Sequence, residues 1–301
     1  MSPRIGLALG SGAARGWAHI GVLEALRAEG IEPQIVTGCS MGSLVGAAHV
    51  CGVLPALQDF AEKLTRRGVV ALLDVGLSGG GLINGAAIVQ LLRDLGVNTP
   101  IEKCVTRFAA VATNLETGRE IWLREGPIEE VVRASISIPG VFNPARHASG
   151  WLGDGALVNP VPVSLCRAMG AEIIIAVHVN SGGVVSFGAA AEQEPKTPPE
   201  FVRNLVEQMP ASMRAQAGGI VASLFPPPAV SPGYFEVLFN AINIMEDQIT
   251  RSRLAGEPPD ILLTPKLASV GPLEFHRAKD AIDEGRASME QAMPALKRLL
   301  S

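Results

Sequence analysis

The sequence has few charged and few aromatic side chains. Charged residues make up 18% of its 301 positions and aromatic residues 4%, and the formal net charge is −4 at pH 7. A nucleic-acid groove needs a basic face, and the binding of single strands needs stacked aromatic rings. The composition therefore predicts that nucleic acid is not a partner of this protein.

Cysteine is also sparse, and its spacing matches neither a metal site nor a redox pair. Cys39, Cys51, Cys104 and Cys166 form no CxxC motif, which predicts free thiols and no bound metal. Residues 1–4 lead straight into an apolar run, without the pattern of a signal peptide. We therefore expect a cytoplasmic protein in a reducing compartment.

Long hydrophobic runs are missing, although hydrophobic residues make up 48% of the chain. Residues 44–57 are one of the longest apolar stretches, and His49, Gly52 and Pro55 interrupt it. A bilayer span needs about 20 apolar residues, so we predict none. The surplus of apolar side chains is expected inside the fold, or on a surface that meets lipid.

Short apolar runs alternate along the chain with segments of helical periodicity, which is typical of α/β folds. We predict a three-layer α/β/α fold with a mostly parallel central sheet and helices on both faces. A Thr117-Gly118 turn joins two of the runs into a hairpin, and Asn84 is placed to cap the next helix after it in the chain. The predicted strands cover residues 5–9, 35–37, 108–113, 121–123, 151–157 (strand or loop), 173–179 and 261–264, and the main predicted helices cover residues 16–27, 43–50, 128–134, 235–253 and 273–300.

Proline divides the chain into three parts. Prolines concentrate between residues 181 and 233, where we expect an irregular insertion or lid. Regular patterns resume after this segment, so we predict a single domain. It has a core over residues 5–180 and a C-terminal helix–strand–helix unit over residues 234–301, whose last helix packs an apolar stripe on the sheet.

The first of three short motifs is a glycine-rich loop between a predicted strand and a predicted helix, Gly10-Ser11-Gly12-Ala13-Ala14-Arg15-Gly16. Glycine lets such a loop turn its free backbone N–H groups toward one point, where they bind negative charge. That charge is either a phosphate or an oxyanion that forms during a reaction. Arg15 stands where the dinucleotide fingerprint has glycine, which argues against a nucleotide cofactor.

The second motif is Gly38-Cys39-Ser40-Met41-Gly42, a G-x-S-x-G sequence at the end of a predicted strand and the start of a helix. This is the setting of a nucleophile elbow, in which glycines make room for a sharp turn. The pentapeptide also occurs by chance, and by itself it indicates no more than a turn and a helix cap.

The third motif is Gly153-Asp154-Gly155-Ala156. An aspartate between glycines is usually a turn residue. The three motifs together suggest more, because one supplies an anion hole, one a nucleophile and one a carboxylate that would lie beside the nucleophile.

In this order and spacing the motifs are recognisable. The sequence resembles the patatin-like phospholipase family, specifically the bacterial branch similar to neuropathy target esterase. The glycine loop continues as Trp-Ala-His-Ile-Gly-Val-Leu, and residues 134–140 and 159–162 match the segments that flank the aspartate. The resemblance covers residues 5–180 closely, and residues 256–285 also look like this branch.

The resemblance implies a patatin-like fold and a Ser–Asp dyad, with Ser40 as nucleophile and Asp154 as base. It implies a carboxylic ester hydrolase that works through an acyl-serine intermediate and needs no cofactor. Its substrate would be a lipid or a simpler acyl ester, reached through peripheral contact with the inner face of the membrane. The implied oxyanion hole comprises Gly10, Ser11, Gly12, Ala13 and Arg15, the elbow comprises Gly38, Cys39, Met41 and Gly42, and the Asp-Gly-Ala block adds Gly155 and Ala156.

Two other functions stay open at this point. An acyltransferase would need a histidine base and an arginine for a substrate carboxylate, and an anion- or nucleotide-binding signalling module would use the glycine loop without chemistry. We interpret His19 as structural and Cys39 as a packed side chain, and His147 is the first alternative base because it lies near Asp154 in sequence. Arg15 either steadies the loop or attracts an anionic head group.

Overall fold

The computed structural model describes residues 3–72, 81, 83–181, 202, 206–210, 213–214, 217–219, 221 and 234–301. The insertion predicted over residues 181–233 therefore lies mostly outside the described residues. The same holds for Phe225 and for the side chains of Tyr234 and Phe235, for which the sequence alone predicts an interfacial or lid surface.

A mixed sheet forms the centre of the described part of the chain. Strands β3, β2, β1, β7 and β8 lie side by side and pair in parallel, while β4, β5 and β6 form an antiparallel extension around the end of β3. The predicted mostly parallel sheet and the predicted hairpin are both confirmed. The strands are β1 (Ile5–Leu9), β2 (Ile35–Cys39), β3 (Arg107–Asn114), β4 (Glu120–Leu123), β5 (Ala145–His147), β6 (Gly150–Asp154), β7 (Ile173–Val177) and β8 (Ile261–Leu263).

Helices cover both faces of this sheet. In β1, Leu7 and Leu9 belong to one apolar cluster while Ala8 belongs to another on the opposite face, because side chains alternate along a strand. Strands buried on both sides in this way read as continuous apolar runs. The helices are α1 (Ala18–Ala28), α2 (Met41–Val50), α3 (Leu54–Lys63), α4 (Arg66–Ala71), α5 (Ala86–Asp94), α6 (Ile128–Ser135), α7 (Val163–Ala168), α8 (Tyr234–Gly256) and α9 (Ala278–Leu300).

The C-terminal helix α9 packs chiefly against α1 and reaches the sheet at β8, rather than lying directly on the sheet as the sequence suggested. Two glycines allow the close approach: a Cβ on Gly21 would lie 1.9 Å from the carbonyl oxygen of Ile282, and one on Gly285 would lie 1.9 Å from that of Ala18. The sequence pattern predicts an apolar stripe of Phe275, Ala278, Ile282, Met289, Met293 and Leu296, and all of these except Phe275 are buried on α9. Phe275 lies before the first residue of α9, in a short 3-10 turn, and is half-buried.

Asn84 does not cap α5, so that prediction is wrong. Gly85 occupies the cap position with a φ of +79°, a conformation that favours glycine. Asn84 instead uses its carbonyl oxygen to accept hydrogen bonds from Arg133 Nε and Nη2 (3.0 and 2.6 Å) and its side-chain oxygen to accept one from Asn143 Nδ2 (2.7 Å). A tertiary contact that propensity cannot show has replaced the local cap.

None of the helices in the described ranges combines the length and the apolar character needed to cross a bilayer.

Candidate active site

Ser40 lies on a sharp turn between β2 and α2. Its φ of +52° is a conformation that a non-glycine residue adopts only under constraint. The glycines on either side have no room for a side chain. A Cβ on Gly38 would lie 2.4 Å from Ser43 Cα, and one on Gly42 would lie 2.2 Å from the carbonyl oxygen of Leu9. The spacing G-x-S-x-G therefore reflects a steric requirement of this turn.

Hydrogen bonds to the backbone hold the turn in place. The N–H of Ser40 donates to Ser135 Oγ (3.0 Å), whose hydroxyl in turn donates to the carbonyl oxygen of Val111 (2.7 Å). The carbonyl oxygen of Ser40 accepts from Ser43 Oγ at 2.6 Å. The elbow is thus tied to α6 and β3, and such surrounding bonds maintain a strained φ.

The register of the sheet brings Asp154 to Ser40. Cys39, the last residue of β2, pairs with Val111 of β3, and Asp154, the last residue of β6, pairs with Ala112. Strand β4 pairs with residues 110–113 of β3 and so occupies its other edge. The ends of β2 and β6 therefore meet on one edge of β3, one residue apart.

The two side chains are in direct contact. Ser40 Oγ donates to Asp154 Oδ2 at 2.6 Å, and Asp154 Oδ1 accepts from the backbone N–H of Ala156 at 2.8 Å. Ser40 is 4% exposed and Asp154 2%. Burial raises the pKa of Asp154 from 3.8 to about 7, although the bonds from Ser40 and Ala156 favour the ionised form. A carboxylate with this pKa is a far stronger base than an exposed aspartate.

The glycine loop presents two free N–H groups. Gly12 and Ala13 have no acceptor for their backbone N–H groups among the described residues, and Ala13 has a φ of +47°. Their neighbours are anchored, so the loop is held while these two donors stay available for a ligand. The anchoring bonds run from Gly10 N to Val177 O (3.0 Å), Ser11 N to Pro160 O (2.8 Å), Ala14 N to Pro272 O (3.0 Å) and Arg15 N to Gly12 O (3.0 Å).

His19 supports the glycine loop. Its Nε2 lies 2.8 Å from the carbonyl oxygen of Gly10, and because a carbonyl only accepts, Nε2 carries the proton. Burial lowers the pKa of His19 to about 4, so the ring is neutral near pH 7. These contacts fit the structural role expected for it.

The structure places no histidine on the dyad. His147, the alternative base, is exposed on β5 and its Nδ1 pairs with Ser149 Oγ at 2.8 Å. Across the described residues, no hydrogen bond joins a histidine to Ser40 or Asp154. The contact that a histidine base would make is made by Asp154.

Arg15 points into the protein rather than toward a ligand. It is 2% exposed, and its Nε donates to the carbonyl oxygen of Val270 at 2.8 Å. Its Nη1 donates to Asn180 Oδ1 at 3.3 Å. Of the two roles considered for this residue, these contacts match that of steadying the loop.

Asn180 and Glu246 lie beside the glycine loop, and nothing in the sequence predicted this. Ser11 Oγ donates to Glu246 Oε2 at 2.9 Å, and Asn180 Nδ2 donates to the same oxygen at 2.8 Å. Burial and the charge of Asp154 raise the pKa of Glu246 to about 7. Glu246 belongs to α8, 235 residues after Ser11, and neither residue type nor local pattern distinguishes it from other glutamates of a helix.

Cys39 is buried beside the dyad with its Sγ 4.0 Å from Asp154 Oδ1. Burial, and then the charge of Asp154, raise the pKa of this thiol well above its ordinary value. A protonated thiol is a poor nucleophile, which agrees with its interpretation as a packed side chain. The described ranges contain no group of three or more histidine, cysteine, aspartate or glutamate side chains that could hold a metal ion.

Fold and site together define a mixed α/β protein in which a serine on a strand–helix elbow contacts a buried aspartate. Residues 7–167 match the patatin-like phospholipases. The NTE family protein Rv1063c of Mycobacterium tuberculosis is 34% identical over 98% of this chain and 92% of its own length. The chain belongs to the patatin-like phospholipase family, and this membership supports a hydrolase that acts on lipid esters.

Other relatives match smaller shares of their own chains. The NTE family protein Rv2565 of Mycobacterium tuberculosis is 28% identical over 97% of this chain and 46% of its own. Lysophospholipase NTE1 of Coccidioides immitis is 32% identical over 59% of this chain and 12% of its own. Among solved structures, VipD from Legionella pneumophila superposes with a TM-score of 0.44 at 13% identity, over 98% of this chain and 67% of that one, a likeness too distant to carry weight.

Proposed function

We propose that the protein is a serine carboxylic-ester hydrolase that cleaves acyl esters of lipids with a Ser40–Asp154 dyad. The observation that carries the proposal is the 2.6 Å hydrogen bond from Ser40 Oγ to Asp154 Oδ2 inside a buried site. The free N–H groups of Gly12 and Ala13 support it, because ester hydrolysis passes through an oxyanion that needs such donors.

In the first half of the reaction Ser40 Oγ attacks the carbonyl carbon of the ester. Its proton passes along the existing hydrogen bond to Asp154 Oδ2, and the carbonyl oxygen becomes an oxyanion that accepts from Gly12 and Ala13. The tetrahedral intermediate then collapses, the C–O bond to the alcohol breaks, and Asp154 returns the proton to the leaving alkoxide. The product is an alcohol and an acyl-Ser40.

In the second half water hydrolyses the acyl-enzyme. The oxygen of the water attacks the acyl carbonyl while Asp154 accepts a proton from that water. The N–H groups of Gly12 and Ala13 again donate hydrogen bonds to the oxyanion. The bond to Ser40 Oγ breaks, the proton returns to Ser40, and the carboxylic acid leaves. Ser40 also precedes the first residue of α2, so the positive end of that helix favours the charge that develops here.

The substrate class follows from the family and from the relative named as a lysophospholipase. We extend it to phospholipid, lysophospholipid or simpler acyl esters. We further propose that the chain meets these esters at a membrane surface from the cytoplasm, because lipid substrates of the family lie in membranes. We assign the catalytic core to residues 5–180 and treat residues 234–301 as a unit packed on it; the insertion or lid predicted over residues 181–233 lies mostly outside the described residues.

A fluorophosphonate probe and an ester series test the proposal together. The wild type should label at Ser40 and hydrolyse both p-nitrophenyl esters of increasing chain length and a lysophospholipid. Ser40→Ala and Asp154→Asn should fold and lose hydrolysis. The matched controls are the same substitutions at an exposed serine and an exposed aspartate, Ser252→Ala and Asp59→Asn, and both should keep the activity of the wild type.

Each other function has its own outcome in this experiment. Folded wild type that does not label favours the anion-binding module. Labelling with transfer of the acyl group to an added alcohol in preference to water favours the acyltransferase. Full activity in Asp154→Asn would refute the dyad.

A further inference from the structure

A chain of buried polar side chains links the glycine loop to helix α8. Its members are Ser11, Arg15, Asn180 and Glu246, each at most 9% exposed. It runs from Val270 O to Arg15 Nε, from Arg15 Nη1 to Asn180 Oδ1, from Asn180 Nδ2 to Glu246 Oε2, and from Ser11 Oγ to that same oxygen.

When Glu246 is ionised, the direction of every hydrogen bond among these side chains is determined. A guanidinium only donates, so the oxygen of Asn180 faces Arg15 and its NH₂ group faces Glu246. Glu246 Oε2 accepts both this bond and the one from Ser11. Glu246 is therefore the acceptor at which the chain ends, and its carboxylate charge also compensates the buried charge of Arg15.

These hydrogen-bonded side chains lie next to the N–H donors of Gly12 and Ala13. Ser11 immediately precedes Gly12, and the backbone there packs tightly on the residues after β7. A Cβ on Gly12 would lie 2.2 Å from Val179 Cγ2 and 3.3 Å from Asn180 Oδ1. A shift of Asn180 or of the Ser11 side chain would therefore move the loop that carries both donors.

The residues that support the glycine loop in this way lie outside the polypeptide segment that matches the family, residues 7–167. Asn180 follows β7, Glu246 lies on α8, and Val270 lies between β8 and α9. Because buried charge is costly unless it is paired, a packed apolar contact would hold helix and loop together at lower energetic cost. The polar chain contributes what an apolar contact lacks, which is a fixed orientation for Ser11.

We propose that Glu246 is a positioning residue of the active site: through Ser11, Asn180 and Arg15 it holds the glycine loop so that the N–H groups of Gly12 and Ala13 face the oxyanion. The inference rests on the proposed hydrolase function. It assigns α8 a part in catalysis without contact to the substrate.

Three substitutions separate the hydrogen bonds from the charge. Ser11→Ala removes one bond and keeps the charge. Glu246→Gln keeps an oxygen that accepts from Ser11 and Asn180 but removes the charge, and Glu246→Ala removes both. Glu257→Gln, an exposed glutamate just past α8, is the matched control.

The loop role predicts losses in kcat with little change in KM, because the donors act on the transition state. Ser11→Ala and Glu246→Ala should lose about tenfold or more in kcat, a loss toward the range seen when one oxyanion donor is removed. Glu246→Gln should recover most of the kcat lost in Glu246→Ala, because its side-chain oxygen can still accept from Ser11 and Asn180. Glu257→Gln should match the wild type in both measurements.

The outcomes distinguish this inference from the function on which it rests. Wild type that neither labels with a fluorophosphonate nor hydrolyses esters overturns both. Wild type that labels, together with Ser11→Ala and Glu246→Ala variants whose kcat is unchanged, overturns the inference alone. If Glu246→Ala does not fold, Ser11→Ala decides the question, because it leaves the pairing of Arg15 with Glu246 intact.

Discussion

The pH dependence of hydrolysis tests the chemistry of Asp154 most directly. Burial raises the pKa of this carboxyl from 3.8 to about 7, and only the ionised form accepts the proton of Ser40. Two pH units below a pKa of about 7, about one molecule in a hundred is ionised. The proposed mechanism therefore predicts that kcat/KM at pH 5 is about 1% of its value on the alkaline plateau.

The contrast with an ordinary aspartate makes the prediction sharp. A carboxyl that kept the ordinary pKa of 3.8 would be more than about nine-tenths ionised at pH 5. Its rate would then be nearly level from pH 5 to pH 8. The two cases differ by about two orders of magnitude at the acid end, well outside the error of a rate assay.

The assay is hydrolysis of a soluble short-chain p-nitrophenyl ester, read from pH 4.5 to 9 with the spontaneous rate subtracted. Circular dichroism at each pH shows whether the protein stays folded, which separates a titration from acid unfolding. Asp154→Asn, measured alongside, should have no acid limb above its residual rate. A level wild-type profile with intact circular dichroism would refute the argument that burial makes this carboxyl a base.

Three further predictions concern stability and reactivity. Because the pKa of Asp154 is raised in the folded state, its ionisation lowers the free energy of unfolding as the pH rises from 3.8 to about 7. Asp154→Asn should therefore be more stable than the wild type at pH 8, by up to about 4 kcal/mol. This difference in stability should vanish near pH 4. Gly21→Ala places a Cβ 1.9 Å from a carbonyl oxygen of α9 and should lower the free energy of unfolding by about 3 kcal/mol. Arg133→Met removes hydrogen bonds to Asn84, Ser137 and Asn143. It should lower the free energy of unfolding, measured by urea denaturation, by about 3 kcal/mol.

Each of these has a control or a contrary result. Equal stability of Asp154→Asn and wild type at pH 8 would show that the ionised carboxylate is not buried at a penalty. Gly256→Ala, where a Cβ would meet nothing within 4 Å, should leave stability unchanged, and a similar loss in both glycine variants would contradict the packing argument. Arg133→Met should also lower kcat, because the carbonyl oxygen of Ser137 accepts from Asp154 N at 2.8 Å; a loss of stability alone would separate this arginine from the site.

Much of the fold followed from local pattern. Apolar runs such as residues 173–177 are typical of strands buried on both faces in a central sheet, so seven of the eight described strands and the mostly parallel arrangement were predicted correctly. The short strand β5 (Ala145–His147), which is half-buried to exposed, was not predicted. Local pattern failed where a distant side chain decided the conformation. Asn84 is a residue type that often caps helices, yet its carbonyl oxygen accepts a hydrogen bond from Arg133, 49 residues further along the chain. Helix α9 packs on α1 through glycines that the periodicity of the sequence does not single out.

The sequence by itself determined which groups carry the proposed chemistry. The spacing of Gly38 and Gly42 predicts a sharp turn, and Ser40 was identified as the nucleophile only from the three motifs together and from the family resemblance. The same two arguments suggested the contact of Ser40 with Asp154, and only the tertiary structure supplied its cause: β2 and β6 end at adjacent positions on one edge of β3. Tertiary structure alone also decided that Glu246 lies against Ser11, and that burial raises the pKa of Asp154. Both depend on which atoms exclude water around a carboxyl, and these atoms come from segments distant in the chain.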